Sequence, residues 1–183
     1  RQGASLVVAP TSVTYNWKEQ AERFAPELRV LLYAGTAPVR QAWIDRIDEF
    51  DLLVMSYGVM QKDIFLLKER NWNCIVLDEA QKIKNPASAT ARAAYELQSR
   101  ARLATTGTPI ENHLLELWSL MNFLNPGLLG SENAFRQQYL SRATPSGSRA
   151  STEEEDPAQS LSRLRSQVGH FLLREQQRLV AIG

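Results

Sequence analysis

Cys74-Ile75-Val76-Leu77-Asp78-Glu79-Ala80-Gln81 decides how this chain is read. Four apolar residues run into two adjacent carboxylates. A run apolar at every position suits a strand buried on both faces, and such strands belong to parallel sheets. In open parallel sheets ligands sit beyond the carboxyl ends of the strands, where Asp78 and Glu79 fall. Downstream, Ala87 to Leu97 is Ala-rich, with Pro86 near its first turn, as a helix begins. After it, Leu103-Ala104-Thr105-Thr106 is a weaker apolar run closed by Gly107-Thr108-Pro109.

Upstream the pattern repeats. Leu6-Val7-Val8-Ala9 ends at Pro10, Val30-Leu31-Leu32-Tyr33 is stopped by Gly35, and Leu52-Leu53-Val54-Met55 is followed by Ser56-Tyr57-Gly58. Between the runs, apolar residues take helical spacing: Val13, Trp17, Ala21 and Phe24, then Val39, Trp43, Ile44 and Ile47, then Met60, Ile64, Phe65 and Leu67. Strand and helix alternate, which predicts a three-layer α/β sandwich with right-handed crossovers. After Pro109 the pattern changes. Leu114, Leu115, Leu117, Trp118, Met121, Phe123 and Leu124 lie almost all round one helix, which should be deeply buried until Asn125-Pro126-Gly127 stops it. Phe135 and Tyr139 mark another helix, and Leu161, Leu164, Val168 and Phe171 a last one. The segment 141–157, rich in Ser, Thr, Pro, Gly and Glu, reads as a mobile loop. The expected organisation is an α/β core over 1–125 and a helical appendage over 126–183.

Composition narrows the function. The 183 residues are 44% hydrophobic, enough for a real core, and no apolar run reaches the ~18 residues that span a bilayer. No secretory signal is visible, and the missing initiator Met suits an excised piece. Cys74 is the only cysteine, which excludes an internal disulfide, fits a reducing compartment and reads as a core residue. The net charge of +1 does not by itself announce nucleic acid, so any phosphate-binding surface depends on local placement. Lys82 and Lys84, close after the acidic pair, are candidates, though solvated lysines fit the same positions. Arg163, Arg165, Arg174 and Arg178 read as a solvated helix face. His113 and His170 stand far apart without cysteine partners, so no metal-ligand spacing is present.

The acidic pair carries the chemistry. A carboxylate at a strand's end can hold Mg²⁺, usually through waters, while the metal bridges terminal phosphates. The next carboxylate, Glu79, is placed to orient or deprotonate an attacking water. Two solvated acids closing a strand would look the same. Thr106 and Thr108 bring hydroxyls that could reach the pair, or could belong to a plain strand-to-helix turn. Thr11 and Ser12 after Pro10 read as an ordinary N-cap pair starting the helix of Val13, a place that is also compatible with a helix N-terminus meeting a ligand. No Gly-x-x-x-x-Gly-Lys-Ser/Thr occurs, and no Gly is followed by Lys, so the loop that cradles phosphates is not in this sequence.

Taken together, these strings resemble the SWI/SNF-type (sucrose-nonfermenting-like) ATPases, DNA translocases of helicase superfamily two. LVVAPTSVTYNW (6–17) is similar to their motif Ia, LLVMSYG (52–58) to the motif often termed Ic, IVLDEAQKIKNP (75–86) to motif II, and TGTPIENHLLELWSLMNFLNPGLLG (106–130) to motif III and its extension. The Asp-Glu-Ala-Gln form, with Asn85-Pro86 and Asn125-Pro126-Gly127, resembles the bacterial branch. The resemblance implies an incomplete RecA-like lobe whose phosphate-loop strand should precede Arg1, with a second lobe after Gly183. It implies ATP and Mg²⁺ as cofactors, Asp78 as metal ligand, Glu79 as catalytic base and Gln81 coupling hydrolysis to DNA. It implies that Thr106 and Thr108 link nucleotide state to lobe movement, and that Pro10, Thr11, Ser12, Ser56, Tyr57 and Lys84 line a groove for duplex DNA read without sequence preference. Asn16 and Trp17 match the family's Asn-Trp, with Trp17 expected in core packing. Near the C-terminus Glu175 stands where the family usually has a second Arg after Arg174.

Three expectations follow. The fragment alone should not hydrolyse ATP. Without the phosphate-loop strand, Leu103–Thr106 should be an open sheet edge that invites self-association. The parent should be a bacterial cytoplasmic, nucleoid-associated enzyme. Two other readings stay open: a non-catalytic DNA- or protein-binding adaptor lobe, and an RNA helicase of the same superfamily. The paired acids weigh against the first, and the Glu116-Leu117-Trp118-Ser119-Leu120 extension against the second.

Overall fold

Each apolar run marked as a strand is one. The computed structural model describes residues 3–107, 114–140, 164, 166–169, 171–175 and 178–182. β1 (Ser5–Ala9), β2 (Val30–Leu32), β3 (Leu52–Ser56), β4 (Asn71–Leu77) and β5 (Gln98–Thr106) form a parallel sheet in the order β2-β3-β1-β4-β5. Register puts Leu6 beside Leu53 and Ile75, and Val7 beside Val54 and Val76. Alternate residues of β1 therefore enter different cores. Leu6 and Val8 pack with Leu53, Met55, Ile75 and Leu77, whereas Val7 and Ala9 pack with Val54 on the other face. Both faces are covered, which is why the strands are apolar throughout. Cys74 is half-buried, and burial pushes its thiol pKa up.

One helix covers the second face among the described residues. α1 (Thr11–Phe24) lays Val13 and Trp17 against Val7, Ala9 and Val54. Phe24, expected on the same stripe, is 74% exposed at the helix's last position, with the Arg23 guanidinium over its ring. The first face receives α2 (Ala37–Ile44), α3 (Tyr57–Lys62), α4 (Ile64–Leu67), α5 (Ala89–Glu96) and α6 (Leu114–Leu124). Ser56 caps α3 and Ser88 caps α5, each accepting an amide N–H three residues on. In α6, Trp118 to Met121, Phe123 and Leu124 are buried, so the expected depth holds over its last two turns. Gly127, at φ 86°, supplies the left-handed residue that turns the chain after it.

Two buried arginines tie these helices down. Arg102 on β5 donates to the carbonyls of Leu97 and Phe123, closing the ends of α5 and α6, and to Ser99 Oγ. Burial lowers its pKa, and its guanidinium lies 5.1 Å from the Phe123 ring centroid. Arg40 on α2 grips both oxygens of Asp63, which also accepts the Tyr33 hydroxyl at 2.9 Å.

The C-terminal residues correct two expectations. Leu164 and residues 166–169 are helical, but β6 (Leu172–Glu175) and β7 (Arg178–Ile182) are strands. Residues 126–183 are therefore not a purely helical appendage, and Arg174 and Arg178 lie on strands rather than a helix face. Two short apolar stretches, Leu172-Leu173 and Leu179–Ile182, are too close for separate helices, and their separation suits a hairpin. β7 pairs antiparallel with β5, Leu103 facing Ile182 and Thr106 facing Leu179, and β6 pairs with β7. The sheet thus reads β2-β3-β1-β4-β5-β7-β6, and the edge expected at Leu103–Thr106 is filled by the same chain. Self-association through that edge is ruled out as the sheet stands. The segment 141–157, expected to be mobile, lies outside the described residues. Before it, α7 (Glu132–Phe135) runs into one turn of π-helix, Arg136–Leu140, and holds Phe135 in the core.

Candidate functional site

The chain leaves β1 toward one edge of the sheet, through α1 to β2, and leaves β4 toward the other, through α5 to β5. The winding reverses between β1 and β4. Open α/β sheets receive ligands at the carboxyl ends of strands flanking such a reversal. Asp78, Glu79 and the first turn of α1 stand there. A cavity of about 490 Å³ lined by Ala4, Ile44, Phe65 and Trp72 lies at the opposite ends of the strands, away from the acids.

Asp78 is 6% exposed, and its carboxylate is held from two sides. Trp17 donates its indole N–H to Oδ2 at 2.9 Å, and Thr105 donates its hydroxyl to Oδ1 at 2.7 Å. The Glu79 amide adds a third contact to Oδ1 at 3.1 Å. Tyr57 donates its hydroxyl to the Asp78 carbonyl at 2.8 Å. Burial, reinforced by the charges of Asp78 and Glu79, drives the Tyr57 pKa well above the ordinary phenol range.

Glu79 has φ 52° and ψ 54°, and among the described residues it alone outside glycine takes a positive φ. That conformation costs on the order of 1–2 kcal/mol for a residue with a Cβ and marks sites where function imposes the geometry. The turn re-aims the chain from β4 into a 3₁₀ turn, Ala80–Ile83, whose last carbonyl accepts the Ser119 hydroxyl. Gln81 then reaches back: its Nε2 donates to Glu79 Oε2 at 2.8 Å, and its Oε1 accepts the Thr106 hydroxyl at 2.9 Å. A chain of side chains so joins Glu79 to the end of β5. Gly107 follows, and a Cβ there would sit 3.8 Å from Glu79 Oε2, so the loop after β5 passes close to the acid.

The structure thus brings Asp78, Glu79, Gln81 and Thr106 together. Thr108 lies outside the described residues. Pro10 sits at the N-cap of α1, and Thr11 and Ser12 form its exposed first turn. No side chain caps this helix, so the expected capping role of the two hydroxyls is not taken up. Ser56 caps α3 at the end of β3. Tyr57, expected on the groove, is 7% exposed, and its hydroxyl is engaged by the Asp78 carbonyl, so its side chain supports the acid. Lys84 is exposed and lies 3.7 Å from Glu116. Sequence reasoning missed Thr105 and the polar role of Trp17. Register carries the signal for the first: Leu77 faces Ala104, so the next residues, Asp78 and Thr105, come level.

Among the described residues no group of three or more His, Cys, Asp or Glu forms a metal cage, and no helix is long and apolar enough to cross a membrane. Two carboxylates without a cage fit Mg²⁺, which keeps several waters and takes the rest of its shell from phosphates. A carboxylate offers about four lone-pair positions, and three donors use part of the Asp78 set. The acid pair therefore fits a hydrated Mg²⁺; a phosphate cradle is not among the residues of this sequence.

Comparison with known proteins adds independent findings. The model of the SNF2-related domain matches residues 1–182. The chain is 39% identical over 172 residues to TATA-binding protein-associated factor MOT1 of Saccharomyces cerevisiae, covering 93% of this chain and 9% of that protein. It is 34% identical over 170 residues to an uncharacterized ATP-dependent helicase of Mycoplasma pneumoniae, covering 93% of this chain and 15% of that protein. Among solved structures it is similar to the Sulfolobus solfataricus SWI2/SNF2 ATPase core in complex with dsDNA. The TM-score there is 0.77 at 36% identity, over 95% of this chain and 34% of that one.

Proposed function

The chain belongs to the SNF2-related domain family, and from that premise we propose that it forms part of the first motor lobe of an ATP-dependent translocase acting on duplex DNA. One observation carries the reading. Two acids stand where the winding reverses, and a side-chain relay, Glu79–Gln81–Thr106, leads from one of them to the neighbouring strand. Asp78 would hold Mg²⁺ through water, and Glu79 would orient or deprotonate the attacking water. Bound Mg²⁺ would neutralise charge developing on the terminal phosphates of ATP. Gln81 and Thr106 would pass the nucleotide state to β5 and the loop containing Thr108. Phosphate affinity in such motors comes mainly from loop amides and a lysine. This chain supplies neither, so these 183 residues are proposed to be inactive alone.

DNA would be held by its backbone. At the start of α1 Pro10 has no amide hydrogen and the Val13 amide donates to the Pro10 carbonyl, while the amides of Thr11 and Ser12 meet no capping side chain. With the exposed Thr11 and Ser12 they suit phosphate oxygens and carry no base readout. Pro10, Ser56 and Lys84 complete the proposed groove. The archaeal core solved on dsDNA supports a duplex substrate. The yeast relative's naming as a TATA-binding protein-associated factor supports remodelling of protein–DNA complexes. The mycoplasmal relative and the lone cysteine support a bacterial enzyme working in the cytoplasm at the nucleoid.

The test is ATP turnover by the full-length protein that carries this chain, with and without duplex DNA. Turnover stimulated by duplex of any sequence, and lowered roughly 100-fold or more by Glu79→Gln, is expected. Undiminished turnover in that variant would overturn the assignment.

A further inference from the structure

Trp17 sits in the second turn of α1, half-buried, with its ring packed against Val7, Ala9 and Val54. Ring packing explains an aromatic residue at this place. It does not explain why the single polar atom of the indole is satisfied by a carboxylate 61 residues away, at the end of a different strand. Thr105 poses the same question. It follows the apolar pair Leu103-Ala104 on β5, and its hydroxyl takes the other oxygen of the same carboxylate. Pinning both oxygens fixes the side-chain torsions of Asp78 and the plane of its carboxylate. The donors come from α1 and β5, elements that lie on either side of β4, so the acid is braced across the sheet.

We propose that Trp17 and Thr105 are positioning residues for Asp78: each engages one carboxylate oxygen and so presets the orientation in which the acid meets a hydrated divalent cation. The inference rests on the functional reading above and extends it to two residues that the acidic motif does not contain. Neither touches the reacting atoms. Partners of a metal ligand typically change metal affinity or activity 10- to 100-fold when removed.

The experiment uses the full-length protein and three variants, Trp17→Phe, Thr105→Val and Asp78→Asn. Trp17→Phe keeps an aromatic ring, though a smaller one, and Thr105→Val keeps the side-chain shape, while each deletes one donor. Mn²⁺ binding with ATP present is read by electron paramagnetic resonance, the Mg²⁺ dependence of turnover is titrated, and thermal unfolding serves as the control for the fold. Trp17→Phe and Thr105→Val are expected to weaken Mn²⁺ binding roughly 10-fold and to raise the Mg²⁺ needed for half-maximal turnover by a similar factor. A purely structural role would lower the unfolding temperature and leave the metal dependence unmoved. Wild-type Mn²⁺ affinity and Mg²⁺ dependence in both variants, with Asp78→Asn impaired, would overturn the proposal while leaving the functional reading intact. A wild-type protein that neither binds Mn²⁺ with ATP nor turns ATP over would overturn the functional reading itself.

Discussion

Glu79 shows how a single backbone angle serves a site. Its left-handed φ of 52° is unfavourable for a side chain with a Cβ, and it persists because contacts over-determine it. The Glu79 amide donates to Asp78, Tyr57 holds the Asp78 carbonyl, and Gln81 reaches back to the Glu79 carboxylate. Strain of this kind is separable from chemistry. Asparagine tolerates the left-handed region, whereas a β-branched residue does not. Glu79→Asn should melt no lower than the wild-type chain although it lacks the acid, and Glu79→Val should lose about 1–2 kcal/mol. Chemical denaturation followed by circular dichroism measures both, and equal stability of the two variants would refute the assignment of strain. Nothing in the string Asp78-Glu79-Ala80-Gln81 announces that angle. It arises because β4 must end and a 3₁₀ turn must begin with only Asp78 and Glu79 between them.

At the scale of elements, Arg102 is the joint between strand and helices. It donates to neutral oxygens only: the carbonyls of Leu97 and Phe123 at the ends of α5 and α6, and Ser99 Oγ. Removing the guanidinium leaves two helix-terminal carbonyls without that donor in a buried place. Arg102→Met should therefore destabilise the fold by about 3 kcal/mol, read as a lower denaturant midpoint at unchanged slope. A loss below about 0.5 kcal/mol would show that water replaces the arginine. This joint was invisible in the sequence, where Arg102 reads as one charge among several. The strands were legible because a sheet buried on both faces leaves a continuous apolar imprint, as in Leu6–Ala9 and Cys74–Leu77. The acidic pair was legible because it ends such a run. Trp17 and Thr105 were not, since their role depends on which strands lie side by side and in what register. The hairpin of β6 and β7 was missed for a related reason. Residues 172–182 hold stretches too short for periodicity to separate helix from strand, and pairing with β5 decided between them.

Across the whole molecule, the Arg40–Asp63–Tyr33 cluster contributes to the response to pH at both ends of the scale. Hydrogen bonding from Arg40 holds the Asp63 carboxyl below the usual carboxylate range, and burial raises the Tyr33 phenol well above its own. The signs differ. An acid whose folded pKa is depressed contributes fully above its unfolded value of ~3.9, and that stability is lost as pH falls through the folded value. A phenol whose folded pKa is raised contributes below ~10, and its share is lost as pH climbs beyond. Thermal unfolding should thus occur at a nearly constant temperature between about pH 5 and 9, and at falling temperature below about pH 4. Asp63→Asn should melt lower at neutral pH and show a shallower acid limb; an acid limb of unchanged steepness would refute the role of Asp63.

The direction of β7 has a further consequence. It runs against the five strands it joins, so its amides and carbonyls meet those of Leu103–Thr106 in an antiparallel ladder. A strand arriving from elsewhere in parallel orientation needs the same backbone groups, in a slanted pattern that cannot coexist with the ladder already made. The berth beside β5 admits one tenant at a time, and whichever segment holds it excludes its rival from the flank of the acidic rim.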